Sequence, residues 1–481
     1  MSSKKSNTVN KTTQEHERYK HLWTRCRDVI KGQAHIKSKS TEYLPKLSGH
    51  ELNEYQKYLQ QALFYNATKR TFKALKGLIF RKKPVIKADQ LQDFVKDCTM
   101  SGLSIEDYAD EVTAEELKTS RFGVLVEYPN TDNSALSQAE SEAIGNRPFF
   151  ASYFAEDILD VRTKRIGNQV MTSLVRLLEQ VEVQDPTDEF KFKIIEQVRV
   201  LDLYSEATEG KGRPRYRQRI FRKEDRSDWV QFEEDIFPKM NGQFIDEIPF
   251  FMVGGVQFRE PHLIDLVEVN LSHYVAYADH RKGVSYTTRP QPYATGISDD
   301  NGPDNMVLGG GDFWYFPGEN VSVGMLEYNG SGLTASENML KQLVEFMASL
   351  GARMLMPDDQ REETATKTLI KKQGENSALS EVSDLVAECL TKALKFAARW
   401  MGIDEEDISI ELNKDFIPAK ASPEDILKMI AAVQTGEYSE DDYLWWLEQN
   451  EMVNPAISAD ERRNKIETDP PPDMVAGKED E

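Results

Sequence analysis

Apolar residues recur at intervals of three and four along most of the chain, and one central stretch alternates instead. The first pattern predicts helices and the second predicts strands. Leu22, Trp23, Cys26, Val29 and Ile30 share one helical face, so order is expected from about Tyr19, with residues 1–18 a polar tail. Leu52, Tyr55, Leu59, Leu63, Tyr65 and Phe72 form a broad stripe that predicts one helix over 49–77, stopped by Pro84. Residues 104–118 read as another helix and 122–129 as a strand. Polar 131–146 reads as a loop, and alternation predicts strands over 149–154, 170–183, 190–204, 216–221 and 229–232.

The texture changes at Pro261, a residue suited to the first turn of a helix. A helix over 261–280 would carry Leu263, Leu266, Val269, Leu271, Tyr274 and Tyr277 on more than one face. Such a helix is packed on several sides, in its own core or against neighbouring copies. Residues 285–332 are rich in Gly, Pro, Asp and Asn, with a short β-like run Phe313-Trp314-Tyr315-Phe316. A second helix is expected over 336–350, with Leu343, Phe346 and Met347. Met356-Pro357 ends it, and 361–374 is charged and thinly apolar. A long helix over 378–401, about 35 Å at 1.5 Å per residue, comes next. A short strand over 408–412 follows. Ser422-Pro423-Glu424-Asp425 and the pair Ser439 and Asp442 then signal two closing helices. The pattern reads as an α+β fold with a mixed body and a helical C-terminal part, not a regular parallel nucleotide-binding sheet.

The 481 residues suggest about two to four structural units. No run reaches the length of ~18 apolar residues that a membrane-spanning helix needs, and the polar N-terminus is unlike a signal peptide. The three cysteines, Cys26, Cys98 and Cys389, are far apart and predict small core residues in a reducing setting. The net charge of −21 argues against tight DNA binding, because affinity for phosphate comes from clustered cations. A surface that DNA slides past is compatible with it.

Catalytic patterns are scarce. There is no phosphate-binding Gly-x-x-x-x-Gly-Lys loop and no Gly-x-Ser-x-Gly elbow, and Gly309-Gly310-Gly311 reads as a turn. With 81 acids, paired carboxylates carry no specific signal. His262, His273 and His280 fall near one helix face but about 16 and 10 Å apart along its axis, too far to share a metal ion. Arg213, Arg215, Arg217 and Arg219 alternate along a strand, giving a solvated or subunit-contacting face in preference to a nucleic-acid face. The sequence predicts no enzyme, no cofactor and no metal.

Several stretches taken in order resemble one group of portal proteins of tailed bacteriophages, a group long catalogued as a domain of unknown function. They are Tyr43-Leu44-Pro45, residues 54–58 (EYQKY), 62–71 (ALFYNATKRT) and 77–82 (GLIFRK), Ile248-Pro249-Phe250, and 263–266 (LIDL) with Asn270, His273 and Tyr274. Leu350-Gly351-Ala352-Arg353 and Glu363-Thr364-Ala365-Thr366 complete the set. Each motif alone is weak, and their joint order carries the resemblance over about 23–447.

The resemblance implies a ring of identical copies, about twelve in the virion, at one capsid vertex. By position, 19–260 would be the wing and 261–284 and 334–355 the stem. Residues 285–333 would be the clip, 356–376 the channel loop, 377–420 a long helix with a wing strand, 421–467 the crown and 468–481 a tail. Lys367, Lys371, Lys372 and Arg361 would face DNA in the channel. Leu263, Leu266, Val269, Tyr274, Leu343, Phe346 and Met347 would form the stem contact between subunits. Arg289, Phe313, Trp314 and Tyr315 would lie in the clip. The implied partners are other copies of the chain, double-stranded DNA, the terminase large subunit, capsid and scaffolding proteins, and neck or adaptor proteins, with no membrane. The implied setting is the virion, and the host cytoplasm during assembly. Another head-to-tail connector or capsid-associated protein is the alternative, and a nucleic-acid enzyme a more distant one.

Overall fold

Thr13 caps the first long helix: its hydroxyl accepts a hydrogen bond from the His16 N–H at 3.1 Å, and α1 runs Gln14–Lys31. The computed structural model describes residues 5–6, 8–49, 51–129, 147–185, 187–205, 214–224, 228–288, 291–295, 320, 322–326, 330–351, 365–414, 416, 423–434, 439, 442–443 and 446–447. The chain divides into two compact units, Met1–Asn413 and Lys414–Glu481.

In the first unit, β1 (Lys5–Ser6) and α1 are followed by α2 (Gln33–Ser38), α3 (Leu52–Gln61) and α4 (Ala67–Ile79). Then come β2 (Val85–Lys87), α5 (Gln92–Lys96), α6 (Ile105–Thr119), β3 (Phe122–Glu127), β4 (Phe149–Phe154), β5 (Ile158–Ile166), β6 (Gln169–Asp185) and β7 (Asp188–Tyr204). β8 (Arg215–Glu224), β9 (Asp228–Gln231), β10 (Lys239–Met240), β11 (Gln243–Phe244) and β12 (Phe250–Met252) complete the strands before the long helices. Those are α7 (Ile264–Thr287), α8 (Ser331–Ser349) and α9 (Ala365–Trp400), with β13 (Gln291–Thr295) and β14 (Ser322–Leu326) between α7 and α8 and β15 (Ser409–Glu411) after α9. The second unit contains α10 (Pro423–Gln434) and a start signal in which Ser439 Oγ accepts from the Asp442 N–H and Asp442 Oδ2 accepts from the Ser439 N–H.

The fold is α+β, and the strand pairings described are antiparallel. A six-stranded sheet has the order β1-β9-β8-β7-β6-β5, and a three-stranded sheet has the order β12-β3-β4. On β3, a side chain at Gly123 would run into the ring of buried Phe250, so glycine is what lets β12 lie against it. The C-terminal half of α9 packs on this small sheet, with the Phe396 and Phe251 rings 6.0 Å apart, and on β15, where Thr391 Oγ1 accepts from the Ile410 N–H at 3.1 Å.

β6 and β7 are unusual in length, at 17 residues each. β5 pairs with β6 only over 169–177, and β8 pairs with β7 only over 197–204. Among the described residues, the two long strands therefore leave the sheet at one end as a two-stranded ribbon, and the β5–β6 hairpin leaves it at the other.

Three expectations are corrected. Order begins before Tyr19: α1 starts at Gln14, and Val9 is buried against Leu159, Phe221 and Trp229. The expected helix over 49–77 is two helices, because Ala62 takes an extended conformation and Asn66 caps α4, accepting from the Lys69 N–H at 2.8 Å. The long helix begins at Ala365 and not at 378, so the second half of the expected charged loop is helical.

Candidate functional site

The segment after Pro261 forms a helical hairpin that rises from the α-helical core. α7 and α8 run antiparallel. Leu266 clusters with Met347, the His280 ring pairs with the Ser336 hydroxyl at 3.2 Å, and a methyl group on Gly283 would stand 2.9 Å from Leu333 Cδ2. Glycine at 283 lets the two helices approach, and α7 continues seven residues beyond its expected end at His280. At the outer end, β13 and β14 pair, Tyr293 opposite Gly324. A side chain at Gly324 would meet the Tyr293 ring at 2.7 Å.

The base of the hairpin is fixed by polar contacts as well as packing. Asn270 is fully buried, and its Oδ1 accepts from the Thr68 N–H at 3.2 Å and from the Thr68 hydroxyl at 2.9 Å. Its Nδ2 donates to the Tyr65 carbonyl at 2.7 Å. Tyr58 donates its hydroxyl to Asp279 at 2.6 Å, and Arg281 donates to the Gln61 carbonyl at 2.8 Å. Arg25 on α1 pairs with Glu268 on the outer side of α7. These bonds tie α7 to α1, α3, α4 and the α3–α4 linker.

Of the seven expected subunit-contact residues, four are covered by the chain itself. Leu263, Leu266, Tyr274 and Met347 are all buried. Tyr274 packs edge-on against Phe64, with ring centres 5.5 Å apart, within a cluster that includes Cys26, Val29, Tyr58 and Leu59. Of the two packings that the many-sided apolar character of α7 allows, its own core and neighbouring copies, the first covers these four residues within one chain. Val269 and Leu343 are half-buried, Val269 against the Ala67–Leu266–Met347 cluster. Phe346 is different: it is 54% exposed, and with Met339 and Leu350 it gives α8 an apolar outer face.

The three histidines go separate ways. His262 lies 3.5 Å from the buried carboxylate of Glu116, which also pairs with Arg259 at 2.7 Å. His273 stacks on Tyr277 and meets Tyr65, and burial lowers its pKa. Among the described residues no group of three His, Cys, Asp or Glu side chains could hold a metal ion, and no helix is long and apolar enough to cross a membrane.

The solvated or subunit-contacting face expected for the alternating arginines is instead closed within the chain at Arg217 and Arg219. Arg217 grips Asp202 at 2.6 Å and Asp235 at 2.9 Å, and Arg219 reaches Asp202 at 3.2 Å. Arg215 lies 4.5 Å over the Phe244 ring. The alternating arginines close the face of β8 against β7 and the following loop. Lys367, Lys371 and Lys372 fall on α9, and their side chains lie outside the described residues. So do Arg361, Arg289, Arg213, Phe313, Trp314 and Tyr315.

Sequence reasoning missed Asn270 as an anchor. Its signal was present: an amide in the middle of an otherwise apolar run has to find buried partners.

A family model described as a domain of unknown function (DUF4055) matches residues 262–401, less than a third of the chain. The matched span covers the hairpin and α9. Among solved structures, one titled "Neck of native GTA particle computed with C12 symmetry" is 9% identical and covers 83% of this chain and 89% of its own. Its TM-score is 0.36, a likeness too slight to carry a fold or a role. No curated protein matches.

Proposed function

We propose that the chain is a structural subunit of a tailed-phage particle, a portal that forms a ring at one capsid vertex and encloses a path for DNA. The observation that carries this reading is the α7–β13/β14–α8 hairpin followed by the 36-residue α9, in the same segment that the family model matches. In this reading the hairpin is the stem, with the β13–β14 pair at the base of the clip. The start of α9 is the part nearest the channel, where Lys367, Lys371 and Lys372 meet DNA. The acidic balance of the chain keeps those contacts weak. The apolar outer face of α8 is where a neighbouring copy packs. Terminase during filling, and neck proteins afterwards, would dock at the clip, with capsid and scaffolding proteins around the wing. The chain performs no catalysis in this reading.

The test is a mass measurement of the purified protein together with averaged negative-stain images. The expected result is a pierced annulus with cyclic symmetry. A compact monomer at high concentration sinks the proposal. A symmetric assembly without a central channel would point to another head-to-tail connector or a capsid-associated protein.

A further inference from the structure

The two free ends of the β5–β6–β7 ribbon differ in charge and resemble each other in exposed apolar surface. At the β6–β7 end, Phe192 pairs with Gln184 and Ile194 with Glu182. Cross-strand partners share a sheet face, so Phe192 and Ile194 lie beside Glu182, Gln184 and Glu196. Phe190, Phe192 and Ile194 are 85%, 57% and 64% exposed. Within 182–196, five carboxylates (Glu182, Asp185, Asp188, Glu189, Glu196) stand against Lys191 and Lys193. At the β5–β6 end, Arg165 pairs with Val170 and Lys164 with Met171. Val170 is 71% exposed, and residues 161–172 contain Arg162, Lys164 and Arg165 with no acid. Arg162 turns back to Asp160 at 2.9 Å, which leaves Lys164 and Arg165 as the outward cations.

We propose that copies of this chain join head to tail, the acidic aromatic tip of β6–β7 on one copy seating against the basic β5–β6 turn of the next. Each tip is a sheet fragment with bare edges and an apolar centre, a surface that a lone molecule leaves uncovered at a cost. The occupant is a second copy because the same strand carries both complementary ends. Tip-to-tip pairing of two acidic ends would set like charges against each other. Basic-to-basic pairing fails for the same reason. Fourteen residues of β6 separate Val170 from Gln184, the partner of Phe192. The two ends are therefore about 45 Å apart, and one chain cannot join its own. A contact between unlike surfaces propagates around a ring when its rotation closes. The inference deepens the ring reading by naming a surface that would hold it together.

Disulfide trapping tests it. Cys26, Cys98 and Cys389 are buried, and burial pushes their thiols up to about 12, so they do not compete. The full chain is made as F192C, as V170C and as the double variant. Under mild oxidation the mixture of single variants should give a covalent dimer whose linked peptides contain positions 170 and 192. The double variant should give a ladder, and each single variant alone should stay unlinked. Adding Lys164→Glu and Arg165→Glu to V170C should cut the yield about tenfold at low salt, and adding Glu182→Lys and Glu196→Lys to F192C should restore it. Annuli in the images with no 170–192 link overturn this interface and leave the ring reading standing. A 192–192 link in F192C alone overturns it too. Monomers with no link overturn both.

Discussion

Asn270 holds Thr68 twice: one side-chain oxygen accepts both the backbone N–H and the hydroxyl of this residue in the first turn of α4. The pair joins two helices 202 residues apart in sequence and sits where water cannot replace a lost partner. Asn270→Ala would leave the buried Thr68 N–H and hydroxyl without their acceptor, and the Tyr65 carbonyl with the Ala67 N–H as its remaining donor. The expected cost is about 2–4 kcal/mol, larger than that of an ordinary hydrogen bond because unpaired buried groups carry the full desolvation penalty. Urea denaturation should show a lower midpoint at unchanged slope. An unchanged midpoint would mean that the amide is not an anchor.

The caps and the alternation were legible because they are local. Ser439 makes the bond that its spacing with Asp442 predicts, and β4 spans the expected 149–154. The misreadings have physical sources. The stripe read through Leu63 and Tyr65 is not the buried one: in the non-helical linker Ala62 and Phe64 turn to the core while Leu63 and Tyr65 are about half exposed, so apolar residues continue across a point where the helix does not. α9 begins at Ala365, but residues 365–377 offer only Leu369 and Ile370 as large apolar positions, too few for a helical periodicity to show. Arg217 meets Asp202 through the register of β7 with β8, which no local pattern encodes. The face of Phe192 and Ile194 likewise becomes a tip only because β8 stops short of it.

Asp157 gives a pH dependence. Burial, reinforced by the neighbouring Glu156 and opposed by Arg27, pushes its carboxyl up to about 6. An unfolded aspartate ionises near about 3.9, so the folded state holds the proton longer and stability falls as pH rises from about 4 to about 6. Above that the deficit persists. Asp157→Asn removes it, and should stabilise the chain at pH 8 by about 1 kcal/mol, a figure discounted for the group's partial exposure. At pH 4 the variant and the parent should unfold at nearly the same urea concentration. Equal stability at pH 8 would show that the carboxyl is ordinary.

The lysines at the start of α9 test the channel reading. Replacing Lys367, Lys371 and Lys372 together with alanine should alter DNA packaging or retention, and the difference should shrink as salt rises, because contacts to phosphate release counterions. Ring formation should be unaffected. Packaging and retention that match the parent at every salt concentration would remove these residues from any DNA path.

Leu266 and Phe346 separate the fold of the hairpin from its assembly. Leu266 is 2% exposed in the Ala67–Met347 cluster, so Leu266→Asp places a charge where nothing can pair it. The loss should exceed about 3 kcal/mol, seen as a large fall in Tm or as insoluble protein. Phe346 lies on the outer face of α8 with Met339 and Leu350 and touches solvent over half its surface. Phe346→Asp should change the stability of the isolated chain by no more than about 0.5 kcal/mol. If a neighbouring copy covers that face, the same variant should weaken the ring, seen as a shift toward monomer in sedimentation velocity. A Phe346→Asp protein that is as stable and as oligomeric as the parent would leave the outer face of α8 outside any subunit contact.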